Sequence, residues 1–418
     1  MARHIAAIDV PSLLKKDMCV YVGGASGEPH AILDEIISNP QCAEGVNFIQ
    51  QPLAALNKRD LSAIHPSSEQ CSFFVTPFLD HGLRQGKVKF IPKHMRDIYE
   101  YLAQCPIDIA LLLAARDVNG VIRYAFNMDY VEAVLESTGI VVVEVSDAFR
   151  SPLGSAVVVE ADVDYIVPSH TVLPVCPIAP QNEAAKVVGR HVASLIDDGD
   201  CIQTGIGAIP SEILQSLSKK SDLGLHSGLI DDAAMDLICN GNITGSRKQL
   251  DKGKHIVGMA LGSKKLLEWT ATSDNVIFRS ANYTHDTRVI RKLDSFVSIN
   301  SAIEVDLYGQ INSEVIKGKQ ISGTGGAVDF MRASKLSLGG RSIVAMTSTA
   351  RRGQVSRIVS NVEMVTALRS DVDIVVTEYG IANLGVSSLP ERAERLIAIA
   401  HPDYRAALQE GWIKNFGN

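Results

Sequence analysis

The stretch 200–217 constrains the fold of this chain more than any other. Cys201-Ile202-Gln203-Thr204 is a short run that enters Gly205-Ile206-Gly207, and Pro210 follows with a fixed φ suited to the first turn of a helix. Ile213, Leu214 and Leu217 then recur at helical spacing. Strand, tight glycine turn and helix make the unit from which parallel α/β sheets are built. The turn also brings bare backbone N–H groups to a helix N-terminus, where a ligand can approach. The same geometry can merely pack a helix closely on a strand, and the turn alone does not choose between the two.

The unit recurs. Asp17-x-Cys19-Val20 leads through Gly23, Gly24 and Gly27 to Pro29, with Ile32, Leu33 and Ile36 beyond it at the spacing that follows Pro210. A duplicated strand–turn–helix predicts two related open α/β domains with largely parallel sheets, over 1–180 and 181–418, and an active cleft where their glycine turns face one another. Apolar runs at 18–22, 71–75, 107–115, 140–145 and 156–159 read as strands, with helices at 30–36, 95–102 and 130–136 between them. Residues 166–181 carry four prolines and read as the linker. Asn182 then caps a helix whose apolar face runs from Ala184 to Ile196. Later strands are expected at 256–261, 276–278, 296–299, 342–346 and 373–377, and a last helix at 390–400.

Composition narrows the function. A 46% hydrophobic content supplies a large core, and a net charge of −7 gives no reason to expect a nucleic-acid partner. No apolar run reaches the ~20 residues of a bilayer span, and the N-terminus lacks the apolar core of a signal peptide, so a cytoplasmic protein without membrane partner is expected. The seven cysteines are odd in number and show no CxxC spacing, which predicts reduced, buried thiols. The eleven histidines show no metal-binding spacing, so no metal is expected.

Two further stretches carry polar groups at strand ends, where α/β ligand clefts open: Asn300-Ser301-Ala302-Ile303-Glu304 and Thr377-Glu378-Tyr379-Gly380. A second glycine cluster, Gly323-Thr324-Gly325-Gly326, suits close backbone approach or a plain turn. Together with residues 203–210, 300–310, 391–403, 23–29 and 76–78, these motifs resemble, in order and over nearly the whole chain, the acetyl-CoA hydrolase/transferase family. Within it the likeness is to 4-hydroxybutyrate and butyryl-CoA:acetate type CoA-transferases. The resemblance implies a homo-oligomeric enzyme that acts on a small-molecule acyl-CoA and a carboxylate, with the coenzyme A thioester as substrate and no permanently bound cofactor. It implies a CoA site along Gly205, Ile206, Gly207, Ala208 and Ile209 and the turn of Gly323, Gly325 and Gly326. Asn300 and Glu378 would hold an oxyanion. Phe78 and Glu28 would line the acyl pocket, although Phe78 also reads as an ordinary core aromatic.

In that family a glutamate of a His-Ser/Thr-Glu-Met-x-x-Asp-Gly motif attacks the thioester and becomes a glutamyl–CoA intermediate. Here the stretch reads His226-Ser227-Gly228-Leu229-Ile230-Asp231-Asp232-Ala233, with glycine at the glutamate position. Asn383-Leu384-Gly385-Val386 departs likewise from Asp-Leu-Arg-Gly. Three readings stay open: another carboxylate acts, from Asp231, Asp232, Glu378 or Glu28; water takes the acyl group in a hydrolase; or the chain binds CoA esters without turnover. In each, the space beside Gly228 is expected to stand open. A nucleotide-dependent dehydrogenase is the competing class. GxGxxP is not GxGxxG, however, and no acidic residue follows about 20 residues on at the end of a clear second strand.

Overall fold

The computed structural model describes residues 2–176 and 182–416 and divides into two compact units. One comprises the chain up to residue 177 with Ile256–Thr284; the other comprises 178–255 with His285–Asn418. The segment 256–284, expected in the second domain, therefore belongs to the first unit. Its backbone bonds explain this: Met128 N–H donates to Gly258 O, Ala260 N–H to Phe126 O and Phe278 N–H to Gly154 O, at 2.9–3.0 Å.

The first unit is built on strands β1 (Arg3–His4), β2 (Cys19–Val22), β3 (Asn47–Gln50), β4 (Glu69–Ser72), β5 (Val88–Phe90), β6 (Ile107–Arg116), β7 (Ile122–Tyr124), β8 (Thr138–Ser146) and β9 (Tyr165–Ser169). They lie in the order β1-β9-β8-β6-β2-β3-β4-β5, all parallel, with β7 antiparallel on β6. Strand β6 is an almost continuous apolar run because both faces are covered. Helix His30–Ser38 buries Ile32, Leu33 and Ile36 against Val20, Phe48, Ile109 and Leu111. Residues 166–169, expected in the linker, belong to β9 despite Pro168. Its neighbour β1 pairs only with Tyr165 and Ile166, so the missing N–H falls on an open edge. Residues 156–159 form no strand, only a single bridge from Val157 to Arg123. Residues 170–176 form neither strand nor helix, as a linker should, and the last part of the expected linker, 177–181, lies outside the described residues.

The second unit carries β10 (Cys201–Thr204), β11 (Gly224–Leu225), β12 (Phe296–Asn300), β13 (Arg341–Ala345), β14 (Ile374–Thr377) and β15 (Gly380–Asn383). Their order is β11-β10-β12-β13-β14-β15, parallel as far as β14 and closed by an antiparallel hairpin. Helix Ala208–Ser216 connects β10 to β11, and helix Ala327–Leu336 precedes β13. Asn182 accepts from Ala184 N–H at 2.9 Å and caps helix Glu183–Ala193 as its sequence predicts. A C-terminal helix, Pro402–Phe416, was not anticipated. Of the cysteines only Cys201 is buried; Cys239 is exposed and the other five are half-buried, so the expectation of buried thiols fails for most of them. All seven are free thiols.

Candidate active site

The parallel strands of the second unit end together, and the polar residues singled out in the sequence gather at that edge. Cys201 pairs with Phe296 and Thr204 with Ile299, so Gln203 and Asn300 come side by side where β10 and β12 finish. Each carboxamide N–H donates to the other's oxygen, at 3.2 and 3.1 Å, and both side chains are buried. The pair locks the orientation of Asn300, which is what a pre-set oxyanion donor needs. Gln203 was missed as a site residue in its own right. Its alternation within a short apolar strand offered the signal.

Beyond Thr204 the chain turns through Gly205, Ile206 and Gly207 into helix Ala208–Ser216. A Cβ added at Gly205 or Gly207 would meet nothing within 4 Å, and Gly207 has φ +113°, a conformation that only glycine adopts without strain. Ile206 is half-exposed on the crest of this turn, and Ala208 and Ile209 form the first turn of the helix. The turn is open backbone. Gly323 leads to Gly325, in the left-handed region at φ +63°, and Gly326 caps helix Ala327–Leu336. Both glycine stretches therefore open helices in this unit.

Gly228 lies near the first turn, because Ser227 Oγ donates to Thr204 O at 3.2 Å and His226 N–H to Ile202 O at 3.2 Å. The space beside it is not open. A Cβ at 228 would stand 2.9 Å from Cε1 and 3.0 Å from Nε2 of His285, with the Phe330 ring behind at 3.8 Å. His285 and Phe330 pack ring on ring with centroids 4.4 Å apart. Burial pushes His285 down to about 3, so it is a neutral imidazole at physiological pH. The expected void is thus filled by an aromatic side chain, which sequence reading did not connect with residue 228.

The carboxylates divide by what holds them. Asp231 caps helix Asp232–Cys239 through Oδ1 to Ala234 N–H at 2.9 Å, and burial raises it to about 6. Asp232 is the first residue of that helix. Glu378 is half-buried just after β14 and accepts from Ser348 N–H and Ser348 Oγ, both at 2.7 Å. Arg357 stands close enough to feel its charge, though burial lowers the Arg357 pKa overall. Ser348, the anchor of Glu378, left no sequence signal. In the first unit Glu28 is fully enclosed, accepting from Gln50 at 2.9 Å, Asn57 at 2.8 Å and Arg59 at 2.5 Å. With these bonds, its carboxylate is tied into the fold around Gly23–Pro29. Phe78 is 42% exposed, which overturns its reading as a core aromatic.

Comparison with known proteins assigns the class. The N-terminal domain of the acetyl-CoA hydrolase/transferase family matches residues 3–177, and its C-terminal domain matches residues 262–412. The chain belongs to the acetyl-CoA hydrolase/transferase family. It is 35% identical over 99% of its length to 97% of the 4-hydroxybutyrate coenzyme A transferase of Clostridium kluyveri. It is also 37% identical to the butyryl-CoA:acetate CoA-transferase of Anaerostipes caccae, over 72% of this chain and 71% of that one. The crystal structure of RipA from Yersinia pestis superposes with a TM-score of 0.92 at 29% identity, covering 100% of this chain and 98% of that one. Among the described residues no helix is long and apolar enough to cross a membrane.

Proposed function

We propose that this chain exchanges coenzyme A between small carboxylic acids of the 4-hydroxybutyrate, butyrate or acetate kind, and that the exchange does not pass through residue 228. The observation that carries this reading is the bare turn at Gly205 and Gly207, at the carboxyl edge of a parallel sheet in a family of acyl-CoA enzymes. CoA lies along Gly205–Ile209 and the turn at Gly323–Gly326. Asn300, held by Gln203, faces the oxygen that gains charge as the thioester is attacked. Gly228 has no group to acylate, and its neighbouring volume belongs to His285.

Among the remaining acids we assign the nucleophile to Glu378. Asp231 is taken up in capping a helix and Glu28 in a buried ion pair, whereas Glu378 is half-exposed at a strand end. Its carboxylate attacks the thioester carbon and expels CoA thiolate, leaving an acyl–glutamyl anhydride. The thiolate then attacks the glutamyl carbonyl and releases the first acid, and the second acid takes CoA by the reverse steps. A second reading is hydrolysis, the other activity in the description of the family whose models match this chain.

Incubation with butyryl-CoA and acetate separates the two. Transfer yields acetyl-CoA and a glutamyl–CoA adduct on the peptide containing Glu378, both lost in Glu378→Gln. Release of free CoA without acetyl-CoA means hydrolysis. Turnover that survives Glu378→Gln overturns the assignment of the nucleophile.

A further inference from the structure

Arg357 is a half-buried cation at the carboxyl edge of the second unit's sheet, and the chain around it is closely fixed. Strand β13 ends at Ala345, and Met346 N–H still donates to Val376 O of β14 at 3.0 Å. The chain passes through Thr347 and Ser348 into an antiparallel hairpin, Thr349–Ala350 with Val355–Ser356, and returns at Arg357. Arg357 N–H donates to Ser348 O at 2.8 Å and closes the base of this hairpin. Val305 N–H, five residues beyond Asn300, donates to Arg357 O at 2.8 Å. Ser348 is also the residue that holds Glu378, through its N–H and Oγ at 2.7 Å each. Arg357 Nη1 reaches Thr347 Oγ1 at 3.5 Å, so adjacent residues of one turn hold the guanidinium and the Glu378 carboxylate.

The two groups are bonded unequally. Glu378 accepts two short bonds from Ser348. The Arg357 guanidinium carries five donors, yet among the described residues its side chain makes only the long bond to Thr347. Its Nε is buried with no acceptor, and no carboxylate is hydrogen-bonded to it. A fold that fixes a guanidinium this firmly and leaves its donors unmet holds it ready for an anion. The charge of Glu378 acts on it without a hydrogen bond and offsets part of the effect of burial.

We propose that Arg357 binds the carboxylate of the acid that gives up or receives CoA, and takes it up when Glu378 loses its charge. This rests on Glu378 as the nucleophile. Attack of its carboxylate on the thioester forms a C–O bond, breaks the C–S bond and leaves a neutral anhydride, with the negative charge on the CoA thiolate. The thiolate then forms a C–S bond to the glutamyl carbonyl, the anhydride C–O bond breaks, and the charge leaves on the released acid. Residue 378 is neutral from the first step onward, so the acid anion replaces it as the partner of Arg357. The planar fork of a guanidinium matches a carboxylate through two parallel bonds. What Arg357 reads is the carboxylate shared by both acids and not the chain attached to it.

The test measures butyrate binding to the full chain by saturation-transfer NMR, without CoA, and beside it the neutral analogue butyramide. Glu378→Gln removes the charge at 378 as the thioester does, and should bind butyrate at least about tenfold more tightly than the parent. Arg357→Gln in that background should abolish the gain, while butyramide binding stays the same throughout. Arg357→Lys keeps the charge without the fork and should lose about threefold or more of the butyrate affinity. It carries the test if Arg357→Gln does not fold, and unchanged butyrate binding in it then overturns the proposal. Equal butyrate affinity in the parent and Glu378→Gln, or affinity that survives Arg357→Gln, overturns it as well. These titrations need no turnover. A CoA adduct found on another carboxylate would overturn the choice of nucleophile, which they do not read.

Discussion

The two strand–glycine–proline–helix units are alike in sequence and opposite in what surrounds their glycines. At Gly24 an added Cβ would stand 2.0 Å from the backbone oxygen of Gln51, and at Gly23 it would stand 2.3 Å from that of Gly27. At Gly205 and Gly207 it would meet nothing. The first turn needs glycine because the chain packs on itself; the second leaves its backbone bare. Gly228 stands between these cases, closed by a side chain that can move. One sequence signal thus serves two purposes, and only the space around it tells them apart.

The largest effect follows from the packed turn. Gly24→Ala drives Cβ into a carbonyl that cannot move without dragging β3 along, so the protein should lose more than about 3 kcal/mol, read by urea or thermal unfolding. Stability close to the parent's would erase the contrast between the turns.

The intermediate case comes next. Gly228→Ala presses on the His285 ring and should cost about 1–3 kcal/mol, and a double-mutant cycle with His285→Ala should recover much of it. Additive losses would mean that the ring is not the obstacle. His285 also predicts a pH dependence. Its folded pKa, about 3, lies below its unfolded value of 6.5, so its contribution is present above pH 6.5 and is lost as pH falls toward 3. The slope is at most about 1.4 kcal/mol per pH unit, and His285→Phe should flatten the acid limb in that window.

The outline of the fold was legible because buried parallel strands are continuous apolar runs, as at Ile107–Arg116, and because caps such as Asn182 act locally. What was not legible depends on pairing across the chain. Residues 166–169 looked like linker because prolines argue against strands, and only the short reach of β1 makes Pro168 harmless there. Gln203, Asn300 and the 205–207 turn could be read as one edge, since each ends or follows a strand. That His285 closes the space beside Gly228 could not be read, being 57 residues away in sequence (285 − 228). The same holds for Ser348 beneath Glu378.

The open turn gives the smaller stability effects. Gly207→Val meets no wall but must hold φ +113°, which should cost about 1–3 kcal/mol. Gly205 has no such constraint. Gly205→Ala should leave the melting temperature unchanged, within about 0.5 kcal/mol of stability.

The most direct test of the account is therefore the affinity of Gly205→Ala for butyryl-CoA, measured by titration calorimetry beside the parent. If a CoA ester lies along this backbone, the added methyl should weaken binding at least about tenfold, or about 1.4 kcal/mol, in a protein that melts like the parent. Parent-like affinity would contradict the assignment of the open turn as the CoA site.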